Sequence, residues 1–417
     1  MKNRLSLLFS LGMGLILAYA GSGCAIVQSF MPTETPTITP TQPPTNTPQP
    51  SPTITPTPTE VPYFIDATVM ALDQEVPILL YHRFITDDVD KDAVTFTHLS
   101  TFRDDLQTLY DSGYSLVSLK SWLDGTFLTP IGRKPLIITF DDFWFADQIY
   151  IDDDGTPSQY SGIGVLWQFS QENPDFGFSA AGFSNMGDKY YGDARIGDRF
   201  VFGGDLDAMW LKLGRTIAWA IENGVEPYNH LFKHPLLSVT EDKHIQWQIE
   251  ENDRVTRYYL NQAGREDLIP RLGNVIALPF GEWPPTQRGI DILKNYKNQE
   301  GEPVEAIFEA YLFADKVLTP SVYSPDFDRY NLPRLTASEI MTQWLVEQSP
   351  NIDSAQSCTL GPLKQEQEND VAVLQEQILK ALNSGTCSEG VYHVNGLIFI
   401  ARDGSVDLHT PPSIPTN

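Results

Sequence analysis

Cysteine is scarce in this chain. There are three in 417 residues, Cys24, Cys358 and Cys387, and an odd number excludes complete internal pairing. Basic residues are also in short supply: 28 Lys and Arg stand against 54 Asp and Glu, for a formal charge of −26. No basic stripe runs through the sequence, which argues against nucleic acid as a partner, because phosphate binding needs one. The balance is compatible with a neutral or cationic polymer, and equally with plain solubility. Long apolar runs are missing too. The longest, Leu5 to Ala20, is short against the roughly 20 residues of a membrane span. No internal repeat is visible.

What the ends contain is distinctive. Lys2 and Arg4 precede that apolar run, and small residues follow it. This is the shape of a secretory signal, with residues 1–23 removed. Two cleavage readings are open. Ala18-Tyr19-Ala20 fits ordinary signal cleavage, while Gly21-Ser22-Gly23-Cys24 resembles a bacterial lipobox, with Gly21 where a larger aliphatic residue usually stands. Lipid on Cys24 would explain the cysteine parity and leave Cys358 and Cys387 to form one disulfide; three unpaired thiols is the alternative. Residues 32–60 are almost entirely Pro and Thr, so 24–62 reads as an extended stalk that cannot bury a core. The expected location is the outer face of the cell membrane, held by lipid. Secretion or a single N-terminal anchor helix are the alternatives.

From residue 63 onward, strands and helices alternate. Val76 to Tyr81 reads as a buried strand ending at His82, and Thr101 to Ser112 carries Phe102, Leu106 and Leu109 at helical spacing. Pro135 to Phe140 is an apolar, β-branched run that ends in Asp141 and Asp142. Gly177–Phe183 and Asn274–Leu278 read as further core strands. This pattern indicates an α/β fold with a barrel-like sheet over 63–340. The texture changes beyond Arg334. Residues 341–417 read as a small α+β appendage: helices at 337–348 and 363–382, then a hairpin around Arg402-Asp403-Gly404.

Two stretches carry chemistry. Asp141 and Asp142 stand at a strand end, and His230 and His234 sit four residues apart. Together they offer two imidazole nitrogens, a hard oxygen ligand and a spare carboxylate for proton transfer, which is what a hydrolytic metal site needs. Either pair alone is weak. Asp152-Asp153-Asp154-Gly155 matches no defensible calcium loop and reads as solvated turn.

Val76-Pro-Ile-Leu-Leu-Tyr-His82, Thr139-Phe-Asp-Asp142, Asn229-His230-x-x-x-His234-Pro235 and Pro279-Phe280-Gly281 resemble, in order and spacing, the motifs of the polysaccharide deacetylases. This is the NodB-homology group, carbohydrate esterase family 4. The likeness covers roughly residues 74 to 340. It implies a distorted (β/α) barrel and a divalent metal, zinc by preference. Asp142, His230 and His234 would be the ligands and Asp141 the general base, in a reaction that removes N-acetyl groups from a polysaccharide.

The chain departs from that pattern in three places. Phe143 and Trp144 stand where the family has a glycine-bearing turn. Ala277 stands where an arginine usually pairs with the base; Arg334 is open to two readings, a replacement partner or a structural ion pair. No late histidine matches the family's general acid, and His393 falls in the appendage. His82 reads either as a substrate- or ligand-orienting group or as a core histidine. Pro279, Phe280, Trp283, Phe143 and Trp144 read either as an apolar floor for sugar rings or as ordinary core. The resulting expectation is an N-acetyl hydrolase acting on an N-acetylglucosamine-containing extracellular polysaccharide. A catalytically impaired carbohydrate-binding protein on the same fold is the alternative. A monomer is the default; sequence fixes neither the oligomeric state nor the polymer.

Overall fold

The computed structural model describes residues 61–88, 95–187, 206–309 and 317–410, with side chains from 211 onward in the third stretch. The signal segment 1–23, Cys24 and the stalk as far as residue 60 lie outside the described residues.

In chain order the strands are β1 (Tyr63–Met70), β2 (Ile78–Tyr81), β3 (Arg83–Ile85), β4 (Phe96–His98), β5 (Tyr114–Leu116), β6 (Lys134–Phe140), β7 (Ala180–Ser184), β8 (Val225–Asn229), β9 (Val275–Ala277), β10 (Ala306–Phe308), β11 (Leu335–Thr336), β12 (Gln356–Leu363), β13 (Gly390–Val394), β14 (Leu397–Arg402) and β15 (Ser405–Leu408). The helices are α1 (Leu99–Asp111), α2 (Leu119–Leu123), α3 (Gly162–Glu172), α4 (Leu206–Glu222), α5 (Asp242–Gln262), α6 (Gln287–Lys294), α7 (Glu339–Gln348) and α8 (Val371–Ser384).

The main sheet runs β10-β9-β8-β7-β6-β2-β11, and its strands pair in parallel. Its two edges meet through one short segment: Leu332 bridges Phe308 of β10, and three residues later Leu335 pairs with Leu79 of β2. The result is a small, irregular seven-stranded (β/α) barrel. Parallel strands enclosed by helices are buried on both faces, which is why β6 is buried continuously from Pro135 to Phe140 and does not alternate. Because the strands are parallel, their C-terminal ends share one rim, and there the loops gather side chains from distant parts of the sequence. Helix α1 seals the outside with Leu99, Phe102, Leu106 and Leu109, all buried.

The second sheet is antiparallel, in the order β12-β1-β13-β14-β15. Its second strand, β1, comes from the start of the folded chain: Ala67 pairs with Cys358, and Met70 with Val391. The expected boundary at 340/341 therefore needs correction on both sides. Residues 63–70 alternate Ile65, Ala67 and Val69 inward against Phe64 and Asp66 outward, the mark of a strand with one buried face, and helix α8 from the last part of the chain supplies that cover. Conversely α7 lies on the barrel, with Met341 and Leu345 in the cluster that holds Phe102 and Leu106. The helix expected at 363–382 begins later. Leu363 closes β12, and Asp370 caps α8 by accepting from the amides of Ala372 and Val373. Leu374, Ile378 and Ala381 of α8 cover Ile65, Ala67, Tyr392 and Phe399. A disulfide joins Cys358 on β12 to Cys387 just after α8. Among the described residues, no helix is long and apolar enough to cross a membrane.

Candidate metal centre

Strand β6 delivers Asp141 and Asp142 at the rim, and β8 delivers His230. The chain then turns, through Leu231 and His234 at positive φ (57° and 48°), so that the second imidazole faces back. Ligand-capable atoms of Asp142, His230 and His234 all lie within 4.8 Å of one another. His234 Nε2 is 3.8 Å from Asp142 Oδ1, and the two rings are 4.8 Å apart. Asp142 itself has φ 54°, Trp144 90° and Phe280 58°, so five of the seven non-glycine positive-φ residues described here surround this site. Each such residue costs on the order of 1–3 kcal/mol and persists only where the surroundings over-determine it.

The donor set fits a divalent cation. His230 is fully buried, and its Nδ1 donates to the Ala277 carbonyl at 2.9 Å. That bond fixes the tautomer and turns the lone pair of Nε2 toward the cluster. Burial lowers its pKa from 6.5 to about 4, so the ring is neutral near pH 7 and able to bind a metal. Asp142 is oriented by Asn185, whose Nδ2 donates to Oδ1 at 2.7 Å. Two imidazoles and one carboxylate, one side open, is the ligand set of a catalytic zinc more than of magnesium or calcium, which favour all-oxygen shells.

Asp141 is held differently. It is buried, and its carboxylate is clamped by Arg334, Nη1 to Oδ1 at 2.6 Å and Nη2 to Oδ2 at 2.8 Å. The guanidinium is itself 0% exposed; its Nε donates to the Glu309 carbonyl at 3.2 Å, and its carbon lies 4.9 Å from the centre of the Phe183 ring. Burial alone would raise the Asp141 pKa. The Arg334 charge, with smaller contributions from His230 and His82, outweighs burial and holds the carboxyl below the usual range. Asp141 Oδ2 is 3.6 Å from His230 Nε2, so the clamped carboxylate borders the metal-ligating cluster. Arg334 thus pairs with Asp141 from just before β11, not from β9, the strand that carries Ala277. Barrel closure brings it there: β11, which follows it directly, lies beside β2, one strand from β6.

The remaining expected residues divide. Phe280 is 56% exposed with its ring 4.5 Å from that of His234, so it stands at the mouth. Pro279 is buried, and Trp283 is partly buried, its Nε1 donating to Glu309. His82 is half-buried at the end of β2. Phe143 and Trp144 are a correction: at 0% and 2% exposure neither offers a face to a sugar. Phe143 packs so closely on β7 that a Cβ at Gly182 would stand 2.1 Å from its ring. The tight turn that the family makes with glycine is made here by Asp142 and Trp144 in left-handed conformations, while the Phe143 amide donates to the Phe183 carbonyl at 3.0 Å.

Sequence reasoning missed Asn185 and Gln148. Asn185 is the first residue beyond β7, and a polar residue at a barrel strand's C-terminal end was the available signal. Gln148 is fully buried, and its Nε2 donates to the carbonyls of His82 (2.6 Å) and Asp141 (2.7 Å), tying two strand ends together.

His393 lies on β13, in the second sheet, and so outside the barrel rim. Burial, and then His409, depress its pKa from 6.5 to about 4. A histidine that resists protonation when folded makes acid favour the unfolded chain. Its contribution to stability is present above pH 6.5 and is lost as pH falls toward 4. His393→Leu should therefore lose less melting temperature than the wild type between pH 7 and pH 5; a larger loss in the variant would contradict the assignment.

No family model and no curated protein matches this chain. Solved structures do. A Streptococcus pyogenes deacetylase in complex with acetate is 15% identical over 66% of this chain and 98% of its own, at TM-score 0.42. A polysaccharide deacetylase from Bacillus cereus is 17% identical over 66% and 69%, at 0.41. A de-N-acetylase from Aggregatibacter actinomycetemcomitans is 12% identical over 64% and 98%, at 0.42. Likenesses this distant leave the functional reading to the side chains of the site.

Proposed function

We propose that this chain is a metal-dependent hydrolase that removes N-acetyl groups from an extracellular, N-acetylglucosamine-containing polysaccharide. The observation that carries the reading is the convergence of Asp142, His230 and His234, with ligand-capable atoms within 4.8 Å, beside a carboxylate clamped by Arg334. A divalent ion on that trio, zinc by its donor chemistry, would polarise an amide carbonyl and make a water more acidic. Asp141 is held ionised, so it is an acceptor throughout the neutral range, and it takes the proton as water oxygen adds to the acetyl carbon. When the C–N bond breaks, the amine nitrogen needs a proton. Asp141 carries one at that stage and borders the site, so it is the group that returns it. Acetate and a free amine result. Phe280 offers an exposed face at the mouth on which a pyranose ring can stack. Attachment to the outer face of the membrane through lipid on Cys24 would put this site among wall or matrix polymers, within reach of a Pro/Thr stalk.

The experiment is acetate release from a short N-acetylglucosamine oligomer by residues 62–417, before and after chelation and after zinc is restored. Release that is lost with the metal and regained with zinc is the expected result. Metal without acetate would indicate a carbohydrate-binding protein on the same fold; the missing late histidine is the one observation that favours this second reading. Neither metal nor acetate would overturn both.

A further inference from the structure

One stretch of helix α5, residues 248–252, receives four hydrogen bonds from the chain around the metal-ligand set. Gln248 and Asn252 are 8% and 1% exposed, and a spacing of four puts them on one face of the helix. Asn252 Oδ1 accepts from the Met186 amide at 2.7 Å. Met186 follows Asn185, whose side chain orients Asp142. Gln248 Oε1 accepts from the Lys233 amide at 2.7 Å, and the Gln248 carbonyl accepts from the Phe232 amide at 3.0 Å. Phe232 and Lys233 lie between His230 and His234. The Ile249 carbonyl accepts from Asn229 Nδ2 at 3.1 Å, and Asn229 immediately precedes His230. A carbonyl has two lone pairs, so these two can accept from outside the helix and still serve within it.

Burial alone would not choose these residue types. Asparagine is a poor helix former, and a buried amide is tolerated only when it is hydrogen-bonded. The orientation of each amide is settled, because a backbone N–H can only donate and so faces the oxygen. The two segments held by α5 are also tied to each other. The Gly187 amide donates to the Phe232 carbonyl at 2.6 Å, so close that a Cβ at Gly187 would stand 2.3 Å from that oxygen.

We propose that Gln248 and Asn252 are positioning residues that space Asp142 and His234 across the metal. This rests on the reading of the 142/230/234 set as a metal centre. The three ligands are not held alike. His230 is fixed through its ring by the Ala277 carbonyl. Asp142 and His234 both have left-handed backbones, which persist only where the surroundings hold them. Asn252 acts on Asp142 through Met186 and Asn185, and Gln248 acts on His234 through the turn that bears it. Both amides stand on one helix, a more precise support than a loop. The 3.8 Å between Asp142 Oδ1 and His234 Nε2 is therefore set by α5.

The test is zinc affinity, by competition with a chelator, in the full chain and in Gln248→Met and Asn252→Leu. Stability of each metal-free protein is measured by chemical denaturation. Asn274→Leu is the control: this amide is also buried, with Nδ2 donating to the Glu302 carbonyl at 2.9 Å, but it precedes β9 at the end away from the rim. Each α5 variant should bind zinc about 10–100-fold more weakly. Asn274→Leu should lose stability and keep the wild-type affinity. Wild-type affinity in both α5 variants would overturn the proposal and leave the amides a structural role. An equal loss of affinity in Asn274→Leu would overturn it too, because general loosening would then explain the effect. Should Asn252→Leu fail to fold, Gln248→Met decides by the same outcomes. A wild type that binds no zinc would contradict the metal centre itself, a different result from zinc held equally well by wild type and variants.

Discussion

Replacing Arg334 with leucine should destabilise the chain by about 3–5 kcal/mol and abolish turnover near pH 7. The stability loss follows from leaving the Asp141 carboxylate buried without its cation. The loss of activity follows from the same vacancy. With Arg334 present, its charge outweighs burial and keeps Asp141 ionised. Without it, burial is the largest influence remaining, and the carboxyl moves up and takes a proton. A protonated Asp141 accepts nothing from water. Two readouts separate this account from simple loss of packing. Activity of Arg334→Leu should partly return as pH rises, because the base is then ionised again. The Asp141→Leu/Arg334→Leu double variant should recover most of the lost stability, since a buried pair replaced by well-packed apolar groups is close to neutral, yet stay inactive at every pH. A double variant as unstable as Arg334→Leu, measured by chemical denaturation, would contradict the ion-pair account.

The second large effect separates base from ligand. Asp141→Asn should retain the metal and lose about 10²–10⁴-fold in turnover, the usual worth of a positioned general base. Its melting temperature should also fall, because Arg334 is then buried without an anion. His234→Ala should lose metal and turnover together, because two protein ligands hold zinc far less well than three. Metal content and acetate release measured side by side decide between these roles. Turnover in Asp141→Asn equal to the wild type would remove Asp141 from the proton-transfer step. Metal retained at full occupancy in His234→Ala would remove that imidazole from the ligand set.

Much of the rim is legible in the sequence because its signals are local. A β-branched apolar run that ends in two carboxylates can hardly be anything but a buried strand reaching the barrel mouth. Two histidines just beyond another such strand add the complementary donors. What is not legible depends on how distant segments meet. Arg334 and Asp141 are separated by 193 residues, and only closure of the barrel makes them neighbours; an arginine before a two-residue strand carries no local mark of that. The burial of Phe143 is set by the absence of a side chain at Gly182, on another strand. β1 has a clear alternation, yet alternation does not say which sheet it joins, and it joins the one formed by the last part of the chain. Asn185 and Gln148 are single polar residues whose value lies wholly in the strand ends they touch.

Crystals of the zinc-loaded protein, with anomalous difference maps on either side of the zinc edge, test the metal centre most directly. One peak bonded to Asp142, His230 and His234, with Asp141 beside it and still clamped by Arg334, is the expected picture. Full zinc occupancy elsewhere, with those two imidazoles turned away from the carboxylate, would contradict it.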